Sequence, residues 1–307
     1  MDASNALHPI HPAVLERTPQ LAAEFAEGVP FRHVVMNDFL TPSAVEPLLA
    51  QFPPFEARNA MGDTGNVGGK ATVPGIRRLG DAYAALDDLI RSSAFLDWLS
   101  QVTGIPNLLY DPYYLGGGTH ENLHGQGLEP HIDFNYHPSE RWHRRLNLIL
   151  YLNPEWSPDW GGALELFSAP RDRAPERSVA PLLNTCVLFE TTEHSWHGFD
   201  TVRLPADVEG VSRKSIALYF YTDDRPAEET APKHTTIYRQ KGLPEWCEEG
   251  AQLDASRIEE LRMLLARRDA HADHLYAENS RLLQAQEKGL VGQLLYLLKR
   301  AYVRARR

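Results

Sequence analysis

Cysteine is scarce: Cys186 and Cys247, 61 positions apart, are the only two thiols in 307 residues. Two thiols exclude a disulfide framework and a cysteine-rich zinc site. No run of about 18 apolar residues occurs, so no membrane span is expected. The opening residues, MDASNALHPIHPAV, lack the basic and apolar regions of a secretory signal. Basic charge is also in deficit. With 31 Lys and Arg against 41 Asp and Glu, the formal charge is −10, which argues against nucleic acid as a partner. The hydrophobic fraction of 43% is too high for a disordered chain. A soluble, cytoplasmic protein with a sizeable core is expected.

Residues 1–30 read as a leader that packs late or poorly. FRHVVMNDFL (31–40) reads as a strand and turn. TPSAVEPLLAQF follows as a helix with Thr41 as N-cap, Pro42 at the first helical position and Val45, Leu48, Leu49 and Phe52 on one face. A polar stretch rich in Gly, Asn and Asp (57–75) is the candidate lid. It holds Gly68, Gly69 and Lys70, but Thr64 and Ala71 stand where a phosphate loop needs Gly and Ser or Thr, which excludes that loop. Residues 81–103 read as one or two amphipathic helices. Between 108 and 222, short apolar runs alternate with Gly, Pro, Asn and Asp, as in an antiparallel sandwich or barrel. The expected organisation is a leader (1–30), a catalytic domain (31–240, its core about 108–226) and a helical tail (250–307).

In that tail, Ile258, Leu265, Ala272, Asn279 and Gln286 recur every seven residues, as do Leu261, Arg268, Leu275, Leu282 and Gly289. These positions fit the seam of a coiled coil and a homodimer through 254–288; a helix packed on its own domain fits equally. The chain ends in a basic amphipathic segment with Lys299, Arg300, Arg304, Arg306 and Arg307. Such a segment could rest on an anionic membrane surface, touch a partner, or simply be solvated.

The chemistry centres on His131-Ile132-Asp133 and the distant His197. Residues i and i+2 of a strand face the same side, so His131 and Asp133 can reach one ion. A histidine from a paired strand completes a face of two imidazoles and one carboxylate, which leaves adjacent coordination positions open. With 13 histidines in the chain, one His-x-Asp arises by chance, and His271-Ala272-Asp273 is a second. That copy falls in the helical tail, where i and i+2 diverge by about 200°.

What surrounds the first copy is more specific. HIDFN, RRLNLILYLNPEW, WGGALELF, PLLNTCVLFET, SWHG and SRKSIALYFYTDDRP follow one another in order, with GGGTH (116–120) upstream. Residues 131–226 thereby resemble the Fe(II)/2-oxoglutarate dioxygenases of the prolyl 4-hydroxylase type. The resemblance implies a mainly β chain with flanking helices, its core a double-stranded β-helix (jelly roll). It implies Fe(II) held by His131, Asp133 and His197, with 2-oxoglutarate and O2 as cosubstrates and ascorbate as a further cofactor. Arg213 matches the residue that pairs with the far carboxylate of 2-oxoglutarate, with Ser215 and the Tyr151 hydroxyl assisting and Asn147 lining the cosubstrate pocket. The 15 residues between His197 and Arg213 exceed the family's usual spacing, which leaves Arg203, in the insert TVRLPADVEG, and Lys214 as competitors. His194 is a decoy ligand, while His120, His124, His137 and His143 read as surface residues. Trp142, Trp156, Trp160 and Trp196 read as packing. The implied reaction is hydroxylation of a prolyl or other protein side chain. The same chemistry on a sugar, lipid or small metabolite, for example a surface glycan, is a second reading, and a non-catalytic jelly-roll binding module a third.

Overall fold

The computed structural model describes residues 7–60, 70–172, 174–239, 243–244 and 246–288. The chain forms two compact units, the described residues up to Pro244 and those from Trp246 onward.

The first unit opens with two short helices, α1 (Pro12–Glu16) and α2 (Thr18–Ala26). Ile10, Val14, Leu21 and Phe25 are buried in the main core, so the segment expected to pack poorly is part of the foundation. Leu21 and Phe25, four apart, share one face of α2, while Ile10 precedes α1 and Val14 lies within it; the prolines between them hid the pattern. Strand β1 (His33–Met36) and helix α3 (Pro42–Ala50), with Thr41 as N-cap and Pro42 at the first position, follow the expected pattern. Ala71–Val73 is a strand, β2, inside the stretch read as a polar loop; residues 61–69 of that candidate lid lie outside the described residues. Residues 81–103 form two helices, α4 (Asp81–Ile90) and α5 (Ser93–Thr103). Ser92 separates them, its hydroxyl accepting from the Phe95 N–H, an N-cap that makes a fresh start more stable than continuation.

The remaining strands are β3 (Leu109–Tyr110), β4 (Gly118–Asn122), β5 (Leu128–Ile132), β6 (His143–Tyr151), β7 (Leu164–Phe167), β8 (Arg177–Val179), β9 (Cys186–Glu190), β10 (Trp196–Phe199), β11 (Arg213–Thr222) and β12 (Ile237–Tyr238). They form two antiparallel sheets. The larger runs β1-β9-β6-β11-β4-β2, with β3 beside β11; the smaller runs β12-β5-β10-β7-β8. The chain alternates between the sheets, which is the double-stranded β-helix. Strand β6 shows why the sequence folds so. Leu146, Leu148 and Leu150 face the helices with Leu188, Ile216, Leu218 and Phe220. Ile149 and Tyr151 face the smaller sheet with Val187, Phe189, Leu164 and Leu166. A strand covered on both faces loses the polar half of its alternation, hence the nearly continuous apolar run.

The second unit contains one long helix, α6 (Ala255–Lys288), with Trp246 Nε1 donating to Glu260 at 2.7 Å. Ile258, Leu265 and Leu275 on it are exposed. Among the described residues no helix is long and apolar enough to cross a membrane.

Leu188 is fully enclosed and Leu182 is 42% exposed. Leu188→Ala should therefore cost about 2–5 kcal/mol, and Leu182→Ala within about 0.5 kcal/mol of zero, as read from urea denaturation midpoints.

Candidate functional site

His131 is the penultimate residue of β5, and Asp133 follows the strand by one residue. β5 pairs with β10 so that His131 lies opposite His197. The strands can come this close because residue 198 is glycine: a Cβ there would stand 2.5 Å from the Leu128 carbonyl oxygen. The two imidazole centres are 4.2 Å apart. His131 Nε2 lies 3.8 Å from Asp133 Oδ1, and His197 Nε2 lies 3.6 Å from Asp133 Oδ2. One ligand atom from each residue falls within 4.8 Å of the others, the one such group among the described residues.

The ring tautomers are set from behind. His131 Nδ1 lies 2.9 Å from the Glu129 carbonyl oxygen, and His197 Nδ1 lies 2.8 Å from that of Ser195. A carbonyl can only accept, so each Nδ1 carries the proton and each Nε2 turns a lone pair toward Asp133. Burial lowers the pKa of both rings, that of His131 to about 3 with help from the neighbouring His197. Both are neutral at pH 7, the state a metal ligand requires. Burial pushes Asp133 the other way, but Arg144 and the two histidines hold its carboxyl below the usual carboxylate range. Two neutral imidazoles and an anionic carboxylate fit a divalent cation of the Fe(II) kind.

Asn147, expected in the cosubstrate pocket, holds the carboxylate instead: its Nδ2 donates to Asp133 Oδ2 at 2.7 Å. Arg144, which the sequence did not single out, lies 3.1 Å from the same oxygen. It is 1% exposed, donates to Asn147 Oδ1 at 2.8 Å, and sits over the rings of Tyr219 and Phe134 at 3.6 and 4.4 Å. Strict alternation from Tyr151 and Asn147 would put Arg145 on the inner face. A register shift at Phe220/Tyr221 pairs Tyr221 with Arg144, and this bulge turns Arg144 inward. Arg145 pairs instead with Glu190 and Glu229 at 3.2 and 3.1 Å.

Arg213 opens β11 and is 4% exposed. Its Nε donates to the Gly162 carbonyl at 2.6 Å and its Nη2 to the Tyr151 hydroxyl at 3.2 Å. Phe199 and Tyr151 flank the guanidinium, with ring centres 4.0 and 5.0 Å away. Gly162 has φ +71°, and a Cβ on it would approach Arg213 Cδ and Trp156 to 3.1 Å, so the Gly-Gly turn lets backbone seat the arginine. Ser215 lies two residues on, opposite Tyr151, in the same inward row. The competitors sit elsewhere. Arg203 pairs with Asp200 at 2.8 Å and is 42% exposed. Lys214 donates to Ser212 Oγ at 2.6 Å and lies 3.8 Å from Glu121 on the outer face. His194 is exposed.

Two histidines read as surface residues are buried. His137 is fully enclosed, and His120 is 7% exposed on the inner face of β4, its Nε2 3.0 Å from the Gly116 carbonyl oxygen. Tyr238 on β12 lies opposite His131, its ring centre 5.1 Å from the imidazole; nothing in the sequence around it marks a strand. Trp156 and Trp196 pack in apolar clusters as expected.

The 2OG-Fe(II) oxygenase superfamily matches residues 118–221, from β4 through β11. The match covers 104 of the 307 residues. The chain is similar to prolyl 3-hydroxylase OGFOD1 of Mus musculus, 31% identical over 141 residues, which is 41% of this chain and 21% of that protein. The Xenopus laevis protein of the same name is 34% identical over 88 residues, 28% of this chain and 16% of its own length. The chain thus spans about a fifth of the curated relatives it matches. A prolyl hydroxylase from Trichoplax adhaerens, solved in complex with a hypoxia inducible factor oxygen degradation domain peptide fragment, superposes with a TM-score of 0.48 at 18% identity, covering 71% of this chain and 96% of that one.

The neutral rings make metal-free stability acid-sensitive. Unfolded histidine takes up a proton below about pH 6.5, whereas folded His131 resists until about 3. The unfolded state therefore binds more protons in that window and stability falls as pH falls. Urea midpoints in EDTA should drop between pH 7.5 and 5, and His131→Gln should remove part of the drop.

Proposed function

We propose that this chain is an Fe(II)- and 2-oxoglutarate-dependent dioxygenase that hydroxylates a prolyl residue in a protein or peptide. The observation that carries the reading is the convergence of His131, Asp133 and His197 at the smaller sheet, with the buried Arg213–Tyr151 pair on the facing side of the larger sheet. Supporting it, part of the chain is similar to relatives named as prolyl 3-hydroxylases. His131, Asp133 and His197 would hold the iron. With the 2-oxo acid and O2, the bound iron supplies the oxidising power to turn a C–H bond into an alcohol.

The residues themselves bind, orient and exclude. Arg213 offers a planar fork that stays charged when desolvated; burial lowers its pKa from a starting point so high that it remains a cation. Tyr151, with Ser215 in the same row, would add hydroxyl contacts to the far carboxylate of 2-oxoglutarate. Asn147 and Arg144 hold Asp133 by Oδ2, the oxygen on the His197 side, while Oδ1 faces His131. The apolar clusters around Phe189, Leu164 and Leu166 keep bulk water out of the inter-sheet space, where stray oxidation would otherwise be quenched. Ascorbate would act as a reductant and needs no site of its own in this scheme.

We further propose a homodimer through α6, whose Ile258, Leu265 and Leu275 are exposed apolar residues at heptad-compatible positions. Asn279's side chain and the basic end with Lys299, Arg300, Arg304, Arg306 and Arg307 lie outside the described residues, and a contact of that end with an anionic membrane surface stays an expectation.

His131→Ala or Asp133→Ala should abolish substrate-dependent succinate formation. Arg213→Ala should raise the 2-oxoglutarate concentration needed for half-maximal turnover at least tenfold, consistent with loss of a charge-assisted contact of about 1.5–3 kcal/mol. Mass spectrometry for a 16 Da gain on peptide and glycan libraries decides the substrate: modification of glycans and no peptide would overturn the prolyl assignment. Light scattering on a chain ending near Gly250 should show half the mass of the full chain; an unchanged mass removes the dimer.

A further inference from the structure

Lys70 has no part in the function proposed so far. It immediately precedes β2, the edge strand of the larger sheet. Ala71 lies opposite Glu121, Thr72 opposite His120 and Val73 opposite Thr119; one row further puts Lys70 level with Asn122. Asn122 in turn lies opposite Arg213 on β11. Residues directly opposite on antiparallel strands share a face. Lys70, Asn122 and Arg213 are therefore one row across three strands, on the inner face that carries Ser215 and Tyr151. The outer row is the one that holds Glu121, Ser212 and Lys214.

The surroundings of the Lys70 ammonium agree with that placement. Burial lowers the pKa of the ammonium to about 8, with Asp133 opposing the shift and Arg144 and Arg213 adding to it, so it is still mostly a cation at pH 7; His120, His131 and His197 feel its charge in return. A group coupled both to Arg213 and to the converging histidines and Asp133 lies beside the space that joins them. That space is where a five-carbon diacid reaching from Arg213 to a metal would lie.

A charge count among the described residues gives the site its ligand. Lys70, Arg144 and Arg213 are three cations; Asp133 is the carboxylate that acts on Lys70; His131 and His197 are neutral. The pocket therefore holds a surplus of two positive charges where water is scarce, and buried charge without a partner is costly. A dicarboxylate carries the two negative charges that cancel it. We propose that Lys70 is a second carboxylate contact, at the end of the organic acid away from Arg213, so that the pocket binds a dicarboxylate before the metal and without it. The inference rests on the 2-oxoglutarate reading above and goes beyond it, because a pocket anchored by Arg213 alone would need the metal to hold the other end.

The test is calorimetric and involves no turnover. 2-Oxoglutarate, succinate and the monocarboxylate pyruvate are titrated into EDTA-treated full-length protein and into the Mn(II)-loaded protein. The metal-free wild type should bind 2-oxoglutarate and succinate, and pyruvate at least tenfold more weakly. Lys70→Met should weaken metal-free binding of both diacids about tenfold or more, the scale of one charge-assisted hydrogen bond. Lys70→Arg should restore most of it; neither variant should melt below the wild type, Lys70→Met melting at or above it because a buried unpartnered charge is removed. Metal-free wild type that takes up no diacid while the Mn(II) form does would overturn the proposal. So would Lys70→Met protein that binds as tightly as wild type. If the Mn(II)-loaded wild type also fails to bind 2-oxoglutarate, the cosubstrate reading itself falls, an outcome separate from failure of the Lys70 contact alone.

Discussion

His131 and His197 face each other across β5 and β10, and most of the pocket follows from that register. A one-residue slip of β10 would turn His197 to the other face, and a slip of β5 would turn His131 and Asp133 together; either breaks the set. Gly198 permits the close approach, since any Cβ there would run into β5 backbone. β10 is held on its other side by β7 over four consecutive pairs, Trp196–Phe167 to Phe199–Leu164. The strand that carries one ligand thus has little freedom to shift, and the geometry is built on sheet, not on loops. Only Asp133 lies past a strand end, and it is the residue with the most side-chain support, from Asn147 and Arg144.

That support exposes a second constraint. The inner face of the larger sheet carries buried cations, and a cation enclosed by protein is tolerated when its hydrogen bonds and counter-charge are supplied. Arg144 meets the condition within the protein through Asp133, Asn147 and two aromatic faces. Arg213 meets half of it, with a carbonyl and a phenol hydroxyl but, among the described residues, no carboxylate partner. Its unmet half defines a ligand: an acid presented to a planar fork. The same reasoning separates Arg213 from Arg203, whose charge is already satisfied by Asp200 in an exposed ion pair and which asks for nothing further.

Much of this was legible in the sequence, and for physical reasons. The convergence of His131 and Asp133 was readable because i, i+2 spacing on a strand is a geometric statement. Arg213 was separable from Lys214 because successive strand residues face opposite ways. β6 and β11 were readable because double burial removes polar residues from both faces. Other features were hidden where a single local event breaks the period. The bulge beside Phe220 exchanges the roles of Arg144 and Arg145, and no alternation rule run from Tyr151 could have foreseen it. β2 and β12 are three and two residues long, too short to show a period, so Lys70 and Tyr238 were invisible as inner-face residues. The buried helices before β1 were masked by their prolines, which here occupy first-turn positions where no N–H is lost.

The long spacing between His197 and Arg213 deserves a structural account, because it was the one departure from the family pattern. Its first part is not a free loop. Val202 is fully buried against Trp156 and Phe199, and its backbone exchanges hydrogen bonds with 125–126, Gly125 N to Val202 O and Val202 N to Gln126 O, both 2.8 Å. Arg203 N then donates to Trp160 O at 2.7 Å. The insert therefore ties the turn after β4 to the Gly-Gly turn before β7, the turn whose Gly162 carbonyl seats Arg213. Extra residues placed there brace the seat of Arg213 from outside, which is why β11 can start so far from His197 in sequence and still bury its first side chain against the Gly-Gly turn.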